Sequence, residues 1–167
     1  PEIETLWQPG ERGALKIMDA FLDERLEGYV NNRDIPGGVT TSRLSPHLRW
    51  GEISPQRIYA SLGEARLDTH DGRKFLSEMG WREFSYYLLY HYPDMPERCL
   101  QNKFEAFPWR DAPEDLEAWK QGRTGYPIVD AGMRELARNG FMHNRARMIT
   151  ASFLTKHLLI DWREGEK

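Results

Sequence analysis

The sequence predicts an all-α protein. Apolar residues recur at three- and four-residue spacing in several stretches, no stretch alternates with period two over a useful length, and proline and glycine stand where helices would begin and end. Leu15, Met18, Phe21, Leu22, Leu26 and Tyr29 form the first periodic stretch, opened by Pro9-Gly10-Glu11. Turn formers between 31 and 39 (Arg33-Asp34-Ile35-Pro36-Gly37-Gly38) break it. Ser45-Pro46 and Ser54-Pro55 each read as an N-cap followed by proline at the first helical position, so two helices are expected to start there. A longer helix begins after Asp71-Gly72 and runs through Phe75, Met79, Trp81, Phe84 and Leu88 until Pro93. Residues 93–113 carry Pro93, Pro96, Pro108 and Pro113 and read as a loop. A short helix near 114–121 ends at Gly122, and another over 127–139 is closed by Gly140. The last long helix is expected over 144–159, and Asp161 opens a further one.

Composition narrows the classes. With 40% hydrophobic and 29% charged residues, the 167-residue chain has an ordinary globular balance. The apolar run at Tyr86-Tyr87-Leu88-Leu89-Tyr90 is far short of the roughly 20 residues a membrane span needs. Cys99 stands alone, so no intramolecular disulfide forms, which suits a reducing compartment. The five histidines show no metal-ligand spacing, and no metal is expected. No repeat or linker appears, and residues 1–167 read as one unit. The chain opens at Pro1 with no signal peptide, which reads as a piece of a longer protein.

Charge is unevenly spread. Residues 1–34 carry eight acids against four bases, while 134–163 carry six bases against Glu135 and Asp161. A basic segment in a mildly acidic chain can be the footprint of a polyanion, and it is equally the composition of a solvated helix face.

Three clusters carry possible chemistry. Thr41-Ser42-Arg43-Leu44-Ser45 sets three hydroxyls and a guanidinium before a helix, which suits a phosphate; a doubled N-cap with a surface arginine is the plainer alternative. Glu78, Trp81 and Arg82 share one helix face, where a carboxylate, an indole and a guanidinium can bond a base edge and stack on a base. An i,i+4 ion pair beside a half-buried tryptophan is the alternative there. In the third, Asn144, Arg147 and Met148 lie together on a helix with Arg145 about 100° away. Those residues combine an amide, phosphate-forking guanidinium groups and an adaptable apolar side chain.

These clusters occur in order and register with other segments: Trp50-Gly51-Glu52-Ile53-Ser54-Pro55, Trp81-Arg82-Glu83-Phe84, Thr124-Gly125-Tyr126-Pro127 through Met133-Arg134, Met142-His143-Asn144-Arg145-Ala146-Arg147-Met148, and Leu158-Leu159-Ile160-Asp161-Trp162-Arg163. Together they resemble the photolyase/cryptochrome flavoproteins, over nearly the whole chain. The resemblance is to the helical FAD-binding region of the members that repair cyclobutane pyrimidine dimers.

The resemblance implies a role for each matching position. Tyr29 would touch the flavin, and Arg33 would reach DNA. Thr41, Ser42, Arg43, Leu44 and Ser45 would bind the FAD pyrophosphate and ribitol. Glu78 would hydrogen-bond the dimer carbonyls, Trp81 would stack on the lesion, and Arg82 would face flavin and DNA. Asn144 would present its amide to the flavin, Arg147 would contact the flavin, Arg145 the DNA, and Met148 the lesion. Asn144 and Met148 favour the cyclobutane dimer over the (6-4) photoproduct. Trp109 and Trp162 would be the outer and middle members of an electron-transfer chain. Trp50 is expected to pack, with Trp7 and Trp119 in the core.

The activity implied is light-driven dimer repair by electron transfer from reduced FAD, with dimer-containing DNA as partner and no obligate protein partner. A second, antenna chromophore would belong to an N-terminal domain outside this sequence. The family's third, flavin-proximal tryptophan and its closing pocket residues would follow Lys167. Phe75 and Phe141 stand where relatives often carry tryptophan. The expectation is therefore that the parent repairs and this stretch alone does not. Two rivals remain: a cryptochrome-type photoreceptor, and a flavin-free helical piece with residual DNA affinity.

Overall fold

The computed structural model of the chain describes residues 6–167, which form helices, turns and loops with no strand among them. They divide into two compact units, Pro1–Tyr86 and Tyr87–Lys167.

In the first unit α1 spans Glu11–Glu24, α2 Tyr29–Asn32, α3 Ser45–Arg49, α4 Pro55–Leu67, and α5 His70–His91 runs on past the unit's end. The α1 periodicity has the expected result: Ala14, Met18, Phe21 and Leu22 are buried along one stripe. Phe21 meets Phe75 at 4.6 Å between ring centroids, and Tyr29 stands edge-on to both at 5.6 Å. Leu44, Leu48, Ile58 and Leu62 complete this core. Ser54 caps α4 by accepting from the Arg57 N–H at 3.1 Å, as its Ser-Pro signature predicts. Ser45 does not cap α3. It lies inside the helix, and the cap position falls to Leu44, whose side chain is fully buried and makes no polar contact. Burial of Leu44 thus sets the entry of the chain, where the sequence pointed to a hydroxyl. At Gly72 the backbone of α5 runs so close to the preceding turn that a Cβ would sit 1.9 Å from the Arg66 carbonyl oxygen.

In the second unit the 93–113 segment holds only the 3₁₀ turn Asn102–Phe104, in line with its prolines. Then come α6 Pro113–Lys120, α7 Pro127–Asn139, α8 Asn144–Ser152 and α9 Trp162–Glu166. Gly140 closes α7 in the left-handed conformation (φ 65°) that a Cβ disfavours. Asp130 fastens the entry to α7, accepting from the Thr124 N–H at 2.7 Å, its hydroxyl at 2.6 Å and the Gly125 N–H at 3.0 Å. Trp119, Val129, Met133, Met142, Phe153 and Leu154 build the core, and Trp119 Nε1 donates to the Thr150 carbonyl at 3.0 Å.

The expected helix over 144–159 is not one α-helix. It ends at Ser152 and continues as a π-helical turn, Phe153–His157, in which Leu158 N–H donates to the Phe153 carbonyl at 3.0 Å. Leu159 then adopts a left-handed φ of 57°, and Asp161 caps α9 by accepting from the Arg163 N–H at 3.0 Å. Trp50 also departs from expectation: it is 79% exposed with Arg49 over its ring, so it packs into no core. Trp119 is buried as expected, and Trp7 is half-buried with its edge toward His47.

Candidate functional site

In the first unit Asp71 organises the candidate face. From the start of α5 its Oδ2 accepts from the Gly28 N–H at 2.9 Å and its Oδ1 from the Val30 N–H at 2.8 Å. Those are the orphan donors at the opening of α2, the helix that leads from Tyr29 to Arg33. Asp71 is a cap supplied from more than forty residues away, which no local pattern announces.

Tyr29 and Arg33 then diverge. The Tyr29 ring is 5% exposed in the aromatic core, and burial pushes its phenol up to about 12, against the pull of the nearby Arg33 charge. Arg33 lies over that ring at 5.5 Å and ion-pairs with Glu78, with Asp34 at 3.4 Å. Lys74, one turn before Glu78 on α5, binds the same carboxylate oxygen at 3.1 Å. Burial pushes the Glu78 carboxyl up, but the hydrogen bonds from Arg33 and Lys74 outweigh it and hold the group below the usual carboxylate range. The Arg33 guanidinium is raised in turn, chiefly by its hydrogen bond to Glu78.

The alternative of a Glu78–Arg82 pair is not what forms. Arg82 ion-pairs with Glu83, reaches the Leu48 carbonyl at 3.4 Å and lies 4.7 Å over the Tyr86 ring. Trp81 is 62% exposed, with its edge toward Phe84. A charged carboxylate and an open indole therefore sit one turn apart on α5.

The 41–45 segment fits a phosphate group. The Thr40 hydroxyl beside it is buried with no hydrogen-bond partner, Arg43 is held left-handed at φ 54°, and the Ser42 hydroxyl accepts from the Leu44 N–H at 3.4 Å. An orphaned hydroxyl followed by Thr41, Ser42, Arg43 and Ser45 is a donor set suited to FAD's pyrophosphate.

In the second unit the start of α8 carries the third cluster. His143 caps the helix, its buried Nδ1 accepting from the Arg145 N–H at 3.1 Å. The Met148 sulfur, on a side chain 54% exposed, receives Asn144 Nδ2 at 3.9 Å and Arg145 Nη1 at 3.5 Å. Arg145 therefore joins Asn144 and Met148, while Arg147 turns to a separate cavity of about 490 Å³ shared with Met133, Met142, Leu154 and Trp162. The expected grouping, with Arg147 inside and Arg145 apart, is reversed because the long Arg145 side chain reaches along the helix to the sulfur.

Trp109 and Trp162 line one larger cavity of about 1000 Å³, together with Met95, Cys99, Phe104 and Phe107. Trp109 packs against Phe107 at 4.4 Å, and Arg163 covers Trp162 at 4.8 Å. Sequence reasoning missed Arg163 as an organiser. Its Nε donates to the Glu97 carbonyl at 2.7 Å, and its terminal nitrogens bind Glu105 and Asp161, each at 2.9 Å, pinning the proline-rich loop beside Trp162. Lys74 was also missed, although its i,i+4 spacing to Glu78 is a readable signal. The described residues hold no group of three or more potential metal ligands, and no helix among them is long and apolar enough to cross a membrane.

The described residues thus form an all-helical fold with a phosphate-suited segment and an acid–indole face, which is the class of a helical binding domain. Residues 75–167 match the family of the FAD binding domain of DNA photolyase, and the chain belongs to that family. Among its relatives, a deoxyribodipyrimidine photo-lyase of Agrobacterium fabrum is 52% identical across 99% of the chain and 35% of the relative. Cryptochrome-2 of Arabidopsis thaliana is 41% identical over 96% of the chain and 28% of its own length. Among solved structures, a bacterial class III photolyase from Agrobacterium tumefaciens superposes with a TM-score of 0.95 at 50% identity, covering 99% of this chain and 35% of that one. The chain thus spans about a third of the length of its curated photolyase relatives.

Proposed function

We propose that this chain supplies the flavin- and lesion-facing helices of a light-driven enzyme that repairs cyclobutane pyrimidine dimers in DNA. The observation that carries the reading is the α5 face, where Glu78 is held ionised one turn from the open indole of Trp81. Thr41, Ser42, Arg43, Leu44 and Ser45 hold FAD in this reading, with Tyr29 and Arg82 as further flavin-side contacts of the same unit. FAD, when bound, supplies the light-driven one-electron chemistry that opens the cyclobutane ring.

A pyrimidine dimer is weakly paired, so drawing it out of the duplex costs less than flipping an ordinary base. The extruded pair stacks on Trp81 and is hydrogen-bonded by Glu78. Arg145 and Arg33 bind flanking phosphates, which makes binding fall with salt. Trp109 and Trp162 relay electrons toward the flavin. Location with the cell's DNA in a reducing cytoplasm follows from this role, and a second, antenna chromophore belongs to a domain outside this chain.

A cryptochrome-like signalling role shares the flavin but has no use for an acid and an indole open to a base pair, so the α5 face favours repair. The test is a chimera in which this chain replaces the equivalent segment of the Agrobacterium fabrum enzyme. The chimera is expected to bind FAD and to repair a thymine-dimer duplex under blue light, with E78A and W81A each abolishing lesion-selective binding. Flavin binding with no repair would overturn the reading in favour of a photoreceptor, and colourless protein would overturn both.

A further inference from the structure

Of the two carboxylate oxygens of Glu78, the described residues use one. Arg33 from the end of α2 and Lys74 from α5 both bind Oε1, and among the described residues no hydrogen bond to Oε2 is found. The carboxylate is partly open, with a side-chain exposure of 27%. Two cations on one oxygen do two things. They fix the plane of the group, and they favour the charged form, in which a carboxylate accepts hydrogen bonds and donates none.

We propose that Lys74 is a positioning residue for lesion recognition: with Arg33 it occupies Oε1 so that Glu78 presents Oε2 as a fixed, acceptor-only group to an imide N–H of the pyrimidine pair. This rests on the dimer-repair reading above and changes one of its expectations. A thymine edge offers one N3–H between two carbonyl oxygens. An ionised Glu78 cannot donate to those carbonyls, so the contact expected there from the sequence is replaced by acceptance from N3–H. No proton is transferred in this contact.

The groups that set the charge of Glu78 lie on two elements. Lys74 is on its own helix, and Arg33, Tyr29 and Asp34 come from the α2 segment. Tyr29 stays neutral through the physiological range because its phenol is pushed up to about 12, and Asp34 is offset by its contact with Arg33. That leaves the two cations to decide the ionisation of Glu78. Lys74 is 38% exposed, so its replacement disturbs charge more than packing.

The experiment is dark binding of the FAD-loaded chimera to three duplexes, one undamaged, one with a thymine dimer and one with that dimer methylated at both N3 atoms. Methylation removes the donors and keeps the carbonyls, and it is expected to cost at least about tenfold in affinity, the scale of a lost base-edge hydrogen bond. Dimer affinity is expected to fall on acidification. K74Q should move that acid midpoint upward by roughly 0.3 pH unit, the size of one i,i+4 ion pair, with K74R restoring it. R33Q/K74Q should move it by roughly one unit. Equal binding of the methylated and unmethylated dimers would overturn the proposal without any variant. So would a K74Q protein whose acid midpoint stays in place. A wild-type chimera that binds damaged and undamaged duplexes alike would remove the dimer-repair reading itself, and this proposal with it.

Discussion

Replacing Asp71 with alanine should loosen the α2 segment, which carries Tyr29 and leads to Arg33. The wild-type carboxylate accepts two backbone hydrogen bonds, at 2.9 Å from Gly28 and 2.8 Å from Val30. A hydrogen bond to a charged group contributes about 1.5–3 kcal/mol, and loss of a helix cap costs about 0.5–2 kcal/mol. Asp71 is half-buried, so water recovers part of each bond, and the expected loss for D71A is about 2 kcal/mol. For a chain of this size that corresponds to a fall in Tm of about 4–8 °C. D71N keeps one acceptor oxygen and turns a donor toward the second N–H, so it should lose more than half as much. Urea unfolding followed by tryptophan fluorescence and far-ultraviolet circular dichroism measures all three proteins. A D71A protein within about 0.5 kcal/mol of wild type would refute the reasoning, because a cap held by two good hydrogen bonds cannot be that cheap to remove.

Other expectations follow from the two cores and their caps. F75A should cost about 3–5 kcal/mol in denaturant unfolding, since it empties the ring that Phe21 and Tyr29 both contact. W119F loses the donor to Thr150 and part of the buried indole's volume, and about 2 kcal/mol is expected in the same assay. Asp130 should show in the acid limb of stability. Its hydrogen bonds from the Thr124 hydroxyl, and then from backbone N–H groups, hold its carboxyl below the usual range against burial. A depressed folded pKa contributes stability that is complete above the unfolded carboxylate value and lost as pH falls through the folded one. D130N should therefore be less stable at neutral pH, and the gap should narrow in acid-denaturation curves; a gap constant with pH would count against the cap.

Much of the fold was legible because its signals are local. The Ser54-Pro55 start, the Gly140 stop and the proline-rich loop each act within a few residues, and each stands where the sequence placed it. The misses have non-local causes. Ser45 lost its capping role because Leu44 is drawn into the core from elements far along the chain. The helix after Asn144 changes pitch at Phe153 for reasons its apolar spacing does not carry. The candidate site divides the same way. Glu78 and Trp81 could be grouped by helical spacing, whereas the bond from Arg33 to Glu78 joins positions 45 apart. Asp71 spans a similar gap, and neither link leaves a periodic trace. At Met148 the residues were right and the partners wrong, because spacing orders Cα positions and not the reach of an arginine.

The π-helical turn has a consequence for how this region tolerates change in length. A π turn holds one residue more than the α-helix it interrupts. A one-residue deletion within Phe153–His157 could therefore be absorbed by closing the turn to ordinary α pitch, leaving the helix unbroken. A deletion within α8 itself has no such reserve, and everything beyond it would be rotated by about 100° and drawn back by about 1.5 Å. Trp162 would swing out of the wall it shares with Trp109, and Arg163 would lose its hold on Glu97 and Glu105. The spare residue acts as a reserve of length: a deletion inside the turn preserves the rotational phase of the closing segment, whereas one in α8 keeps the helices and misdirects the tryptophan.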